Sequence, residues 1–172
     1  PTVTIYGFHC AASRLDAVER IRMIKARAGR SGFILLAGDL DMAGNLVARW
    51  PGSSEAILAG AWPAPLTAIL PARRTVPEIL APNGAVAVRV PAHEHLRALI
   101  MALGEPIVST SVNAAGRAPI TRIADTRRSF PGLEAYISRR GRASGSPSTI
   151  VDFTSRIPRL VRAGAYRWPA GE

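Results

Sequence analysis

Lysine is almost missing from this sequence. Of 22 basic residues, 21 are arginine and Lys25 is the one lysine. A Walker A loop needs Gly-Lys-Ser/Thr, whereas Lys25 lies in Ile24-Lys25-Ala26, so a P-loop NTPase is excluded. A lysine-rich nucleic-acid tail is excluded as well, and chemistry that needs an amine side chain must use Lys25. Cysteine is equally scarce: Cys10 alone allows no internal disulfide and points to a cytoplasmic setting. One cysteine and three histidines are too few for a zinc site, and no metal-ligating residue is assigned. His93 and His95, two apart, are expected as exposed histidines diverging at a helix start. Four Phe, three Trp and three Tyr offer no stacking platform for single strands. The densest apolar run, Phe33 to Ala37, falls far short of the roughly 20 residues of a membrane span, so no membrane is expected as a partner. No charged-then-apolar leader is read at the start. GxSxG, GxGxxG, HExxH and paired-carboxylate signatures are all missing. The chemistry expected is therefore positioning and charge stabilisation, as in phosphoryl or nucleotidyl transfer, without a covalent intermediate.

What the sequence does contain is charge and alanine. The 172 residues carry a formal net charge of +10, and 29 of them are alanine within an apolar fraction of 48%. The length predicts one domain, 1–172, large enough to bury a core without staples. The Ala/Arg/Gly/Pro bias resembles that of a GC-rich coding sequence, so part of the arginine excess is background. The rest suits RNA, DNA, acidic membranes or a nucleotide triphosphate in a basic cleft. The pairs Arg73-Arg74, Arg127-Arg128 and Arg139-Arg140 are spread along the chain and form no single arm.

The pattern alternates strands and helices, which predicts an α/β fold around one sheet. Ser13-x-x-Asp16 reads as a capping box opening a helix to about Ala26, with Val18, Ile21 and Ile24 on one face. Strands are expected over Phe33–Leu36, Leu66–Leu70, Ala85–Val90, Pro106–Thr110, Ser148–Phe153 and Arg159–Arg162. The weak alternation of Ala85–Val90 suggests burial on both faces. Helices are expected over Leu40–Ala48, Ser53–Ala61, Ala92–Leu103 and Thr121–Phe130, with Thr121 as a possible N-cap, and a polar loop over Arg139–Ser146.

Four segments carry more hydroxyls, amides or cations than packing needs. Pro1 to Gly7 places Thr4 and Tyr6 on one side of a short strand, which an ordinary edge strand also explains. Lys25-x-Arg27, followed by Arg30 and Ser31, reads either as a favourable helix C-terminus or as a cationic clamp for phosphate or carboxylate. Ser109-Thr110-Ser111-Val112-Asn113 follows a buried strand, and ligands of open α/β sheets bind off strand carboxyl ends. Ser146 to Asp152 and Arg162 to Ala165 repeat that arrangement of hydroxyls with a cation.

Taken in order, these segments resemble the YrdC family of threonylcarbamoyl-AMP synthases. The resemblance runs from Pro1 to about Ala165: the opening proline-threonine strand, Lys25-x-Arg27, Trp62-Pro63-Ala64-Pro65-Leu66-Thr67, Val88-Arg89-Val90-Pro91, Ser111-Val112-Asn113, Pro147-Ser148-Thr149-Ile150-Val151-Asp152 and Arg162-Ala163-Gly164. It implies a twisted, open mixed sheet with helices packed around a large basic cleft. It implies joining of L-threonine, bicarbonate and ATP into threonylcarbamoyl-adenylate with release of pyrophosphate, for modification of tRNA by a threonylcarbamoyl transferase complex. Mg2+ accompanies the ATP. By position, Thr4, Arg89, Ser109 and Ser148 would hold threonine; Arg27, Ser31, Ser111, Asn113 and Arg162 would line the ATP; Lys25 and Arg27 would act on the reacting groups. The chain departs from the family pattern at Val3, Ala28, Ser31 and, against longer members, Leu36, and the strand's beginning before Pro1 is expected to be truncated. Two rival readings are an RNA-binding module gripping tRNA or double-stranded RNA, and a YrdC-like domain serving another carbamoyl donor.

Overall fold

The computed structural model of the protein describes residues 6–25, 32–113, 120, 122–135 and 146–169. Its strands are β1 (Gly7–Ala11), β2 (Ile34–Leu36), β3 (Leu66–Pro71), β4 (Ala85–Arg89), β5 (Ile107–Ser111), β6 (Thr149–Asp152) and β7 (Arg159–Arg162). The helices are α1 (Leu15–Ile24), α2 (Leu40–Gly44), α3 (Ser54–Ala61), α4 (Glu94–Leu103) and α5 (Ile123–Ser129). The strands join in the order β1-β5-β2-β4-β3-β6-β7. Two pairings, β2 with β4 and β3 with β6, are parallel, and the other four are antiparallel.

Because residues paired across strands share a face, the register sorts the side chains into two sets. Phe8, Val108, Leu35, Val88, Val86, Ala68, Leu70, Leu66 and Val151 stand on one face, and all are buried. They form the main core with Val18 and Ile21 of α1, Leu58 of α3, Phe33 and Phe153. The other face carries His9, Ser109, Ser111, Ile34, Leu36, Ala85, Ala87, Arg89, Ile69, Ile150, Asp152 and Arg162. At one end of it, Leu36 and Ile107 pack on Ile100 of α4, with Leu96 and Met42 alongside. Elsewhere this second face is half-buried or exposed among the described residues, except at Arg89 and at Thr67, which pairs with Ile150.

That division corrects the reading of Ala85–Val90 as buried on both sides. Val86 and Val88 face the core, whereas Ala85 and Ala87 are half-buried on the second face. Small side chains there keep the middle of the sheet low beneath whatever lies on it. The strand expected over the opening residues is described only in its later part. It runs from Gly7, and Pro1 to Ile5 lie outside the described residues.

The capping box at Ser13 is not formed. Ser13 instead donates its hydroxyl and backbone N–H to Glu105, both at 2.8 Å, tying the start of α1 to the turn before β5. Asp16 is taken by Arg14, whose two hydrogen bonds hold the exposed Asp16 carboxyl down at about 2. α2 stops at Gly44, short of the expected Ala48. α4 spans nearly its predicted length, and His93 caps it by accepting the Leu96 N–H at 3.3 Å. Since His93 precedes the helix, its ring does not diverge from that of His95; the two meet edge-on at 5.8 Å. β7 is exposed at all four positions, with Leu160 and Val161 about half exposed and Ile157 beyond them 79% exposed. Among the described residues no helix is long and apolar enough to cross a membrane.

Candidate functional site

Lys25 closes α1. Val18 and Ile21 lock the helix into the core, so its last residue is held in a fixed place at one end of the sheet. The Lys25 side chain is 4% exposed. Its ammonium donates to the carbonyl oxygens of Ser111 at 2.8 Å and Asn113 at 3.0 Å, to Asn113 Oδ1, and to Ser111 Oγ at 3.4 Å. Ser111 Oγ in turn donates to Asn113 Oδ1 at 2.6 Å. Three residues that the sequence assigned to one site are therefore joined in one cradle. Lys25 thus stands at the C-cap of α1 while its ammonium reaches the end of β5 at the edge of the second face.

Arg89 ends β4 on that same face. It is 4% exposed, and its Nε donates to the Ala64 carbonyl at 3.3 Å. Burial pulls its guanidinium down to about 10, so it remains charged at neutral pH. Ser109 lies on β5 between the two groups, half-buried and paired with Ile34 and His9.

A second hydrogen-bonded group forms at the far side. Arg162, opposite Ile150, donates to the Ser148 carbonyl from Nε at 3.1 Å and from Nη2 at 2.8 Å, and to Ser148 Oγ at 3.2 Å. Ser148 Oγ lies 2.9 Å from Thr67 Oγ1, and both residues are buried. Gly164 explains the spacing of the Arg162-x-Gly164 pair. A Cβ there would lie 2.5 Å from the Pro147 carbonyl oxygen and from the Ser148 carbonyl carbon. Only glycine lets the closing segment lie flat on Ser148, where Ala165 N–H also donates to Pro147 at 2.9 Å. Gly164→Ala is expected to cost about 1–3 kcal/mol by forcing that contact apart. The urea midpoint measures it, and an unchanged midpoint would contradict the close approach.

Strand geometry sets the scale. Ser111 lies two strands across and about four residues along from Arg89, a separation of about 16 Å. Arg162 lies three strands beyond Arg89, about 14 Å away. The candidates thus spread over a face large enough for an amino acid and a nucleotide side by side. They do not gather at one carboxyl edge, because β5 runs antiparallel to β2 and no such edge exists in this mixed sheet. Thr4, Arg27 and Ser31 lie outside the described residues, as do Val3, Ala28, Thr121 and Arg139. Thr67 and Gly164 had no assigned role; a lone hydroxyl in the apolar strand Leu66–Leu70 was the available signal for the first.

A cleft of about 1070 Å³ at the β1 edge is lined by Phe8, His9, Ile21, Leu96, Ile107 and others, and by none of the candidates among the described residues. Burial pushes the Cys10 thiol up to about 11, well away from a nucleophile's range. Among the described residues no three His, Cys, Asp or Glu side chains converge as metal ligands.

Comparison with known proteins follows the same outline. The Sua5/YciO/YrdC family model, described as "Telomere recombination", matches residues 1–164. A threonylcarbamoyl-AMP synthase of Hahella chejuensis is 36% identical over 154 residues, covering 88% of this chain and 84% of its own. One from Nitrosococcus oceani is 39% identical over 155 residues, covering 88% and 83%. Among solved structures, P. abyssi Sua5 complexed with L-threonine superposes with a TM-score of 0.86 at 32% identity, over 95% of this chain and 49% of that one. The chain therefore spans about half the length of that protein. E. coli YciO superposes with a TM-score of 0.79 at 26% identity, over 95% and 81%. The order of the motifs, the seven-stranded mixed sheet and the relatives agree, and the chain belongs to the Sua5/YciO/YrdC family.

Proposed function

We propose that this protein is a threonylcarbamoyl-AMP synthase. The observation that carries the reading is the placement of the Lys25 ammonium and the guanidiniums of Arg89 and Arg162 at intervals along one open sheet face, in a chain whose curated relatives bear that name. The RNA-binding alternative has no comparable support. The reaction joins the threonine amine to the bicarbonate carbon with loss of water. The resulting carbamate oxygen then bonds the ATP α-phosphorus as the bond to pyrophosphate breaks.

Each residue supplies a part of that. Arg89, planar and poorly hydrated, suits the threonine carboxylate as a two-pronged donor. Ser109 and Ser148, with Thr4 in the undescribed opening, give the short hydroxyl donors around the amino acid. Ser111, Asn113 and Arg162 line the nucleotide, joined by Arg27 and Ser31. Lys25, with Arg27, offsets charge that builds on the carbamate and the transferring phosphoryl group, where fixed cations act most strongly. No ligand set for a resident metal appears among the described residues, so Mg2+ is assigned to the ATP phosphates and no protein step runs through it. The basic cleft of the family, a single domain over 1–172, a cytoplasmic setting and handover of the adenylate to a tRNA-modifying transferase complete the proposal.

Pyrophosphate release from ATP should require threonine and bicarbonate together. A coupled pyrophosphate assay with each omitted in turn checks this, and a folded protein with no threonine-dependent release would overturn it.

A further inference from the structure

Thr67 does not belong to the set of residues assigned to substrates, yet it is fully buried and bonded to one that does. Its hydroxyl has Ser148 Oγ as its hydrogen-bond partner among the described residues, at 2.9 Å. Distance alone leaves the donor open, but proton accounting settles it. If Ser148 donated, the Thr67 proton would be buried with no acceptor, a costly arrangement. Thr67 is therefore the donor. The Ser148 oxygen also accepts from Arg162 Nη2 at 3.2 Å. A hydroxyl oxygen has two lone pairs, and both are now used. What remains on Ser148 is its own proton.

We infer that Thr67 is a positioning residue that, together with Arg162, sets the Ser148 hydroxyl as a donor only. Resting on the synthase reading, this deepens it: the Ser148 subsite selects an acceptor oxygen of the amino-acid substrate. An amine or a second committed donor facing Ser148 would find no lone pair, and a methyl group would leave its proton unpaired. The backbone supports the rigidity this needs. Thr67 is held in β3 between β4 and β6, and the Ser148 carbonyl is clamped by two arginine nitrogens.

The test pairs kinetics with a direct reading of the protons. Thr67→Val keeps the side chain's shape and removes its hydroxyl. It should raise the KM for threonine about tenfold while kcat, the KM for ATP and Tm stay near wild type, and Thr67→Ser should restore the KM. An unchanged threonine KM, or a defect that Thr67→Ser fails to repair, would overturn the inference. Repeating the comparison with L-2-aminobutyrate separates the two acceptor oxygens: the penalty disappears if Ser148 meets the substrate hydroxyl and persists if it meets the carboxylate. Neutron diffraction from crystals of the full chain in D2O decides the matter independently of turnover. The Thr67 deuteron should point at Ser148, and the Ser148 deuteron should point away from Thr67. The reverse arrangement refutes the inference whether or not the protein is a synthase, while missing threonine-dependent turnover in the wild type refutes only the synthase reading.

Discussion

Lys25→Met should reduce threonine-dependent pyrophosphate release at least 1000-fold, equivalent to about 4 kcal/mol of transition-state stabilisation. Methionine keeps most of the aliphatic stem and removes the ammonium, so helix packing around Val18 and Ile21 is preserved. The carbonyls of Ser111 and Asn113 lose a charged donor, however. Hydrogen bonds to a charged group are worth about 1.5–3 kcal/mol, and Tm should fall by several degrees. A lower Tm therefore does not separate a structural lysine from a reacting one. The comparison that does is Lys25→Arg. It retains positive charge and donors to the cradle, but it replaces a compact point charge with a broad fork that cannot occupy the same place. If Lys25 only closes the helix, Lys25→Arg should turn over within about threefold of wild type, well inside one decade of rate. If its ammonium meets the reacting groups, Lys25→Arg should lose most of the activity despite a restored Tm. Turnover and differential scanning on the same preparations decide between them.

Arg89→Met is expected to show the opposite combination, loss of function without loss of stability. The folded state binds a proton at Arg89 less readily than the unfolded chain does, since burial lowers this guanidinium to about 10. Keeping it charged costs the fold roughly 3 kcal/mol, with the penalty fully present below about pH 10 and relieved as pH rises from there toward the free guanidinium's range. Arg89→Met removes that cost but also takes the Nε donor from the Ala64 carbonyl, and the two changes largely offset. The urea midpoint of Arg89→Met at pH 7 should then equal or exceed that of wild type. Threonine KM should rise at least 100-fold, because a carboxylate brought to this site would lose its fork. A midpoint well below wild type, with threonine KM unchanged, would make Arg89 a structural residue.

How far the sequence disclosed this depends on the range of the interactions involved. Helices with a local signature were readable: α4 appears within two residues of its expected span, with Gly104 at a left-handed φ of 76° ending it. β7 was placed to the residue. Where a local signal competed with a distant partner, the distant partner prevailed. Ser13 looked like a cap, but Glu105, 92 residues away, takes its hydroxyl. The strand order was not legible, because β5 enters between β1 and β2 through pairings over a hundred residues long in part. That insertion is what brings Ser109 and Ser111 onto the face of Arg89. Motif order singled out Lys25, Ser111, Asn113, Ser148 and Arg162 as candidates, while the bonds joining them in two groups needed coordinates. Thr67 was hidden for the same reason: its one informative contact is 81 residues away.

The exposed last strand has a consequence of a different kind. An unpaired sheet edge is a template for a neighbouring molecule, and short apolar edges are where soluble proteins begin to aggregate. In β7 the pair Leu160-Val161 is flanked by Arg159 and Arg162, with Ile157 nearby. In a chain with one lysine, arginine has to serve as the edge's gatekeeper. Arg159 is tied to Asp152 at 3.4 Å, and Arg162 is tied to Ser148. The arginine that holds Ser148 thus also sets a positive charge on this exposed strand, where pairing with a second copy would bring like charges together.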